Sequence, residues 1–146
     1  MRNGIKIIAV DFDCTLTLDN PYPDVGRPNP IAIELMKAFR QQGGKLILWT
    51  CRYGEELKKA ISMCKTHGLL FDAVNDNLPE QSALWRETHP DAMMSRKIYA
   101  DMYIDDRAPR AILRGGVDWE AVCELLFGVT LSEFLDSSGE ELEEAI

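Results

Sequence analysis

Ile7-Ile8-Ala9-Val10 runs straight into Asp11 and Asp13, with Phe12 between the acids and Thr15 and Thr17 just beyond. Four apolar residues, three of them β-branched, suit a strand buried on both faces. An unpaired carboxylate is expensive to desolvate, so charge does not belong in the middle of such a strand. The strand therefore ends at Asp11, and the acids emerge at its carboxyl edge. In open α/β sheets that edge is where ligands bind. Two neighbouring anions repel unless a cation joins them, and a hard divalent ion such as Mg2+ prefers oxygen ligands. A single Asp here would read as a turn or cap residue; two acids followed by two threonines read as a site.

The rest of the chain alternates strands with helices. Ile5 to Val10 is the first predicted strand, followed by a long connection, Asp11 to Asn29, with three prolines and a glycine. Pro30 through Arg40 carries apolar residues at helical spacing, with Pro30 tolerated in the first turn, and Gly43-Gly44 ends it. Lys45 to Thr50 is the second strand, Gly54 to His67 the second helix, and Leu70 to Val74 the third strand. Asn75 to Ser95 reads as irregular, with one helical turn around Ser82 to Glu87. Met102 to Ile104 is the fourth strand, ending in Asp105-Asp106; Ala111 to Leu113 is a short edge strand and Trp119 to Phe127 a final helix. This order predicts an α/β fold, a doubly wound and mostly parallel Rossmann-like sheet with helices on both faces. Residues 1–130 form one core domain, and 131–146 an acidic tail or short helix.

Composition narrows the function. The net charge of −8 is concentrated at the end: Glu133, Asp136, Glu140, Glu141, Glu143 and Glu144 account for six of the excess acids and leave −2 for the remainder. Such a balance argues against a nucleic-acid surface, which would be basic. No apolar run reaches the ~20 residues that span a bilayer, and the start of the chain carries no secretory signal pattern. The four cysteines, at 14, 51, 64 and 123, show neither metal nor disulfide spacing. Cys64 and Cys123 are expected in the core, and a cytoplasmic location is expected.

A doubly wound sheet would bring Asp11, Asp13, Thr50, Lys97, Asp105 and Asp106 to one crevice. Carboxylates from two strands can hold a metal, while a hydroxyl and an ammonium hold a phosphate. Asp11 can attack phosphorus as a nucleophile, and Asp13 can act as general acid and base. Arg52, two residues after Thr50, either clamps substrate bidentately or pairs with an acid of the tail or a helix. Arg107 and Arg110 balance the acid pair, Arg96 is solvated, His67 favours a helix C-terminus, and Trp49 and Trp119 are core residues.

This constellation resembles the haloacid dehalogenase-like (HAD) hydrolase superfamily, in its phosphatase branch. Asp11-Phe12-Asp13-Cys14-Thr15-Leu16-Thr17 is similar to that family's first motif, Leu48-Trp49-Thr50 to the second, Lys97 to the third-motif lysine, and Tyr103-Ile104-Asp105-Asp106 to the acidic fourth. The resemblance spans residues 5 to about 107. It implies Mg2+ as cofactor, Asp11 as nucleophile and metal ligand, and Asp13 as acid/base that binds metal through its carbonyl. It further implies Thr50 and Lys97 on the phosphoryl group and Asp106 as direct metal ligand, with Asp105 reaching the ion directly or through water. Cys14 departs from the family's usual glycine. The connections are too short for a cap domain, so an open crevice is expected. Tyr22, Pro23, Arg27 and the loop around Trp85 would touch the phosphorylated substrate, small or large, and a homo-oligomer could cover the crevice. Two other classes fit clustered acids. A receiver-like module would accept a phosphoryl group once, but its acceptor Asp ends the third strand, where this chain has Val74-Asn75. A carboxylate metal nuclease is disfavoured by the charge.

Overall fold

The structure, a computed structural model, describes residues 2–108 and 116–144. Four strands, β1 (Ile7–Val10), β2 (Lys45–Leu48), β3 (Ala73–Val74) and β4 (Met102–Ile104), form one parallel sheet in the order β3-β2-β1-β4. Chain order grows outward from β1 in one direction and then returns to its other side with β4. This reversal places the switch point, and so the crevice, at the carboxyl end of β1. The architecture is thus an α/β, Rossmann-like sheet, as the alternation predicts. The proposed strand over Ala111 to Leu113 lies outside the described residues, as does Arg110.

One face of the sheet carries most of the core. Ile8, Val10, Leu46 and Leu48 point to it and meet α1 (Pro30–Gln41), α2 (Gly54–Thr66) and α4 (Trp119–Phe127). Helix α1 starts where Asn29 Oδ1 accepts from Ala32 N at 3.2 Å, with Pro30 in the first turn. It buries Ala32, Ile33, Leu35, Met36 and Phe39, one stripe at 3.6-residue spacing. A side chain at Gly44 would strike the Phe39 ring at 2.3 Å, so the α1–β2 turn requires glycine there for close packing. Cys64 and Cys123 are fully buried, as expected. Burial pushes the Cys64 thiol up to about 12, which keeps it an inert apolar group.

The opposite face is thinner. Ile7, Ala9 and Ile47 are covered there by Leu78 and Ile98, with Trp49, Ala73 and Ala100 at the margin. Residues 75–95 differ from their expected irregular course. They contain a full helix, α3 (Pro79–Thr88), with Pro79 in its first turn and no buried residue. Pro79 reads as a breaker in sequence but is a starter at this position, and the helix lacks the apolar stripe that would announce it. β3 is only two residues long: just before it Asp72 N donates to Leu46 O at 2.8 Å, but the Asp72 carboxylate, not a backbone carbonyl, accepts from Leu46 N (2.8 Å) and from Arg40 (3.1 Å). The acidic end forms α5 (Leu131–Glu144). Thr130 and Glu133 build a reciprocal cap at its start, and Phe134 packs on Phe127 at 5.2 Å between ring centroids.

Candidate active site

Asp11 leaves β1 where the ladder ends. Its N–H still donates to Ile104 O at 2.9 Å, which fixes the Asp11 backbone against the carboxyl end of β4. Asp105 and Asp106 follow Ile104 directly, so the pairing of β1 with β4 delivers the three acids to one point. Carboxylate oxygens of Asp11, Asp105 and Asp106 all lie within 4.8 Å of one another. Thr15, fully buried, donates from Oγ1 to Asp11 Oδ2 at 3.2 Å. Arg107 N donates to Asp105 Oδ1 at 2.8 Å.

The electrostatic consequence is mutual. Burial, then the neighbouring charges of Asp105 and Asp106, push the Asp11 carboxyl up to about 7, against the pull of a backbone hydrogen bond from Phe12. Asp106 is raised as well, by burial first, although its hydrogen bond with Asp11 acts the other way. Cys14 is held protonated by burial and by the surrounding carboxylates of Asp106, Asp13, Asp11 and Asp19. The donor set is three carboxylates and no nitrogen or sulfur, with anionic repulsion left uncompensated. That chemistry fits a hard divalent cation.

This arrangement has a pH signature. A carboxyl raised in the folded state retains its proton between about pH 4 and about 7, where the unfolded chain has lost it. The folded state binds more protons there, so stability falls as pH rises through that window. A divalent cation displaces the proton and removes the repulsion. The metal-free chain should therefore lose melting temperature between pH 5 and pH 8, and 10 mM Mg2+ should raise it more at pH 8 than at pH 5. Scanning calorimetry at the two pH values reads both effects; an equal Mg2+ shift at both would contradict the assignment.

Asp13 is not part of the acid cluster. Its carboxylate faces Arg52, which donates from Nη2 to Oδ1 at 2.7 Å and from Nε to Oδ2 at 2.9 Å. Arg52 was expected to clamp substrate or to pair with an acid of the tail or a helix; the acid it pairs with is Asp13, in the loop after β1, and Arg52 is 2% exposed. Its guanidinium also donates to Asp24 O at 2.7 Å and Pro23 O at 3.2 Å, and it lies between the rings of Phe12 and Tyr22, 5.1 Å from each centroid. The Asp13 carboxylate raises the Arg52 pKa further. One side chain thus ties the end of β2 to the loop after β1 and to the tip of the 11–29 connection.

That connection is a flap rather than a loose loop. Thr17 bridges Pro28 antiparallel, Leu18 N donates to Arg27 O at 2.8 Å, and Arg27 pairs with Asp19 at 2.8 Å. A side chain at Gly26 would meet Asp19 O at 2.3 Å, so the two limbs can close only around glycine. Of the residues expected to touch substrate, Tyr22, Pro23 and Arg27 are engaged within the flap. Cys14 takes a left-handed φ of 57°, the conformation that suits glycine; a cysteine can occupy it because Thr17 Oγ1 accepts from its N–H at 3.0 Å.

Thr50 stands at the same sheet edge. Its Oγ1 accepts from Arg52 N at 3.1 Å, and its N–H donates to Asn75 Oδ1 at 2.8 Å. The hydroxyl hydrogen remains available to a ligand. Asn75, which holds this turn from the end of β3 in a left-handed conformation (φ 50°), was not singled out in sequence; a polar residue at a parallel strand's carboxyl tip was the signal. Lys97 is exposed, with Nζ over the Tyr103 ring at 5.4 Å from its centroid. His67 closes α2, its Nδ1 bonded to Met63 O at 2.9 Å. Trp119 is buried, whereas Trp49 is only partly so.

No protein-family model matches the chain, and comparison with curated proteins gives no match. A solved structure of a conserved protein from Bacteroides thetaiotaomicron superposes with a TM-score of 0.65 at 38% sequence identity, over 83% of this chain and 88% of that one. No helix among the described residues is long and apolar enough to cross a membrane. With that identity over most of both lengths, the chain belongs to the same family as the conserved Bacteroides thetaiotaomicron protein.

Proposed function

We propose that the chain is a capless HAD-like phosphatase, Mg2+-dependent, that hydrolyses a phosphate monoester through an aspartyl-phosphate on Asp11. The observation that carries this reading is the convergence of Asp11, Asp105 and Asp106 at the switch point of the sheet. Their carboxylates would hold the ion, which would offset repulsion between the acids and an anionic substrate. Asp11 forms a bond to phosphorus as the bond from phosphorus to the ester oxygen breaks. Thr15 holds one Asp11 oxygen and leaves the other to attack. The Thr50 hydroxyl donates to a phosphoryl oxygen, and Lys97 swings from the Tyr103 ring to a second. Asp13 gives a proton to the leaving oxygen, then takes one from the water that attacks the phosphoenzyme and frees Asp11. Arg52 must release Asp13 for that step, so flap opening and proton transfer are linked in this reading.

The receiver-like alternative is weakened by Asn75, an amide where that class has its acceptor acid. Incubation with p-nitrophenyl phosphate and Mg2+ separates the two. Many phosphates released per chain, stopped by EDTA and restored by Mg2+, is the expected result. One phosphoryl group per chain without turnover would contradict it.

A further inference from the structure

A cavity of ≈ 570 Å³ lies between α3 and residues 93–103. Such a volume suits a small organic ligand. Its walls are flat and apolar, from Trp85, Met93, Ile98, Tyr99 and Tyr103. Ile98 is buried, but the other four stay accessible although they are large: Trp85 is 38% exposed, Tyr99 55% and Met93 93%. The polar groups are few and of particular kinds. Asn77 Oδ1 accepts from Tyr99 N at 2.7 Å, which leaves its amide hydrogens as donors. The Gln81 amide makes no hydrogen bond among the described residues. Lys97 is the one charged side chain in the lining, so the cavity has a cation and no acid.

The cavity is aligned with the acid cluster. Tyr103 pairs with Ala9 on the thinly covered face of the sheet. Asp105 follows two residues later, one past the end of β4, where continued alternation would direct it the same way, roughly 7 Å on. A ligand with its anionic end at the acids and Lys97 therefore has its body between Trp85 and Tyr103. Tyr103 is itself fixed, since its hydroxyl donates to Ile98 O.

We infer that this cavity is the site for the leaving group of the substrate, and that the substrate is a phosphate ester of a planar aromatic or heteroaromatic group. The inference rests on the phosphatase reading for its phosphate end. The stacking walls, the two amides and the single cation define the rest: a flat ring system with hydrogen-bonding edges, tethered to an anion. An aliphatic phosphate would leave the aromatic walls unfilled.

Binding of non-hydrolysable probes tests it apart from catalysis. Isothermal titration in Mg2+ should give 1-naphthylmethylphosphonate at least about 10-fold tighter binding than methylphosphonate, the increment expected of one good aromatic stack. Trp85→Ala should remove most of that preference and leave methylphosphonate unchanged. Trp85 is partly exposed on a helix without a buried residue and stacks on His89, so this variant should fold. Met93→Glu, at a nearly fully exposed position, should weaken naphthyl probe binding several-fold by placing an anion in the wall. Equal affinity for the two probes, or a preference untouched in both variants, would overturn the inference even if phosphate esters are turned over. A Trp85-dependent preference in a chain that releases no phosphate would keep the cavity and refute the phosphatase reading.

Discussion

Asp11→Asn should abolish turnover, by about 10⁴-fold or more in kcat, while leaving the folded chain more stable at pH 8 than the wild type in the absence of metal. Losing a covalent nucleophile costs this order of rate because the remaining groups can only bind and orient. The stability gain has a different origin. Asp11 is pushed up to about 7 by burial and by Asp105 and Asp106, so ionising it above pH 7 stores unfavourable energy in the fold. Asn has nearly the same shape, still accepts from Thr15, and carries no charge. A gain of about 2 kcal/mol is expected, a raised carboxyl being worth 1.36 kcal/mol per pKa unit before solvent screening. Phosphate release under saturating substrate and urea titration at pH 8 read the two effects. A variant that is inactive because it is unfolded would show neither a cooperative transition nor the gain. Retained turnover would remove Asp11 as nucleophile.

Arg52→Met should be the most destabilising single change at the site. It removes a guanidinium that is 1% exposed, strands the Asp13 carboxylate, and leaves the carbonyls of Pro23 and Asp24 without donors. Breaking one partner of a buried pair costs about 3–5 kcal/mol. Asp13 is 18% exposed, which recovers some hydration, so about 3 kcal/mol is expected. For a chain of 146 residues this lowers the melting temperature by roughly 10 °C. Arg52→Lys should fall between, because an ammonium restores charge but cannot fork across two carboxylate oxygens. A loss below about 1 kcal/mol for Arg52→Met would mean that the flap is held by its own Thr17–Pro28 and Asp19–Arg27 contacts instead.

The strand that carries Asp11 was legible because burial on both faces imposes an uninterrupted apolar run, and charge can enter only where the run stops. Ile7 to Val10 and the residues after it follow that logic directly. Helices α1 and α4 were legible for a related reason, since each buries one stripe and carries a cap, Asn29 and Asp118. α3 was not, because a helix without a buried face leaves no periodicity and its proline reads as an interruption. β3 was overextended because Asp72 pairs with Arg40 inside a run that otherwise looks like a strand.

The site divides along the same line. Asp11, Asp105 and Asp106 were found because strand order alone brings them together. The Asp13–Arg52 pair was not, since 39 residues separate its members and no local pattern marks which charge on one strand tip will meet which on the next. The placing of Arg52 against the rings of buried Phe12 and exposed Tyr22 was hidden for the same reason. Lys97 matched a motif by type and order, yet its side chain rests on Tyr103, where a flexible stem allows an exposed ammonium to cover a ring face.

The central claim is that acids from two adjacent strand tips share one cation. Crystals grown with Mn2+ in place of Mg2+ test it by anomalous scattering. One strong peak is predicted, about 2.1 Å from carboxylate oxygens of Asp11 and Asp106, and it should vanish in Asp106→Asn. A map without that peak at saturating Mn2+, or a peak bound elsewhere on the chain, would contradict the account.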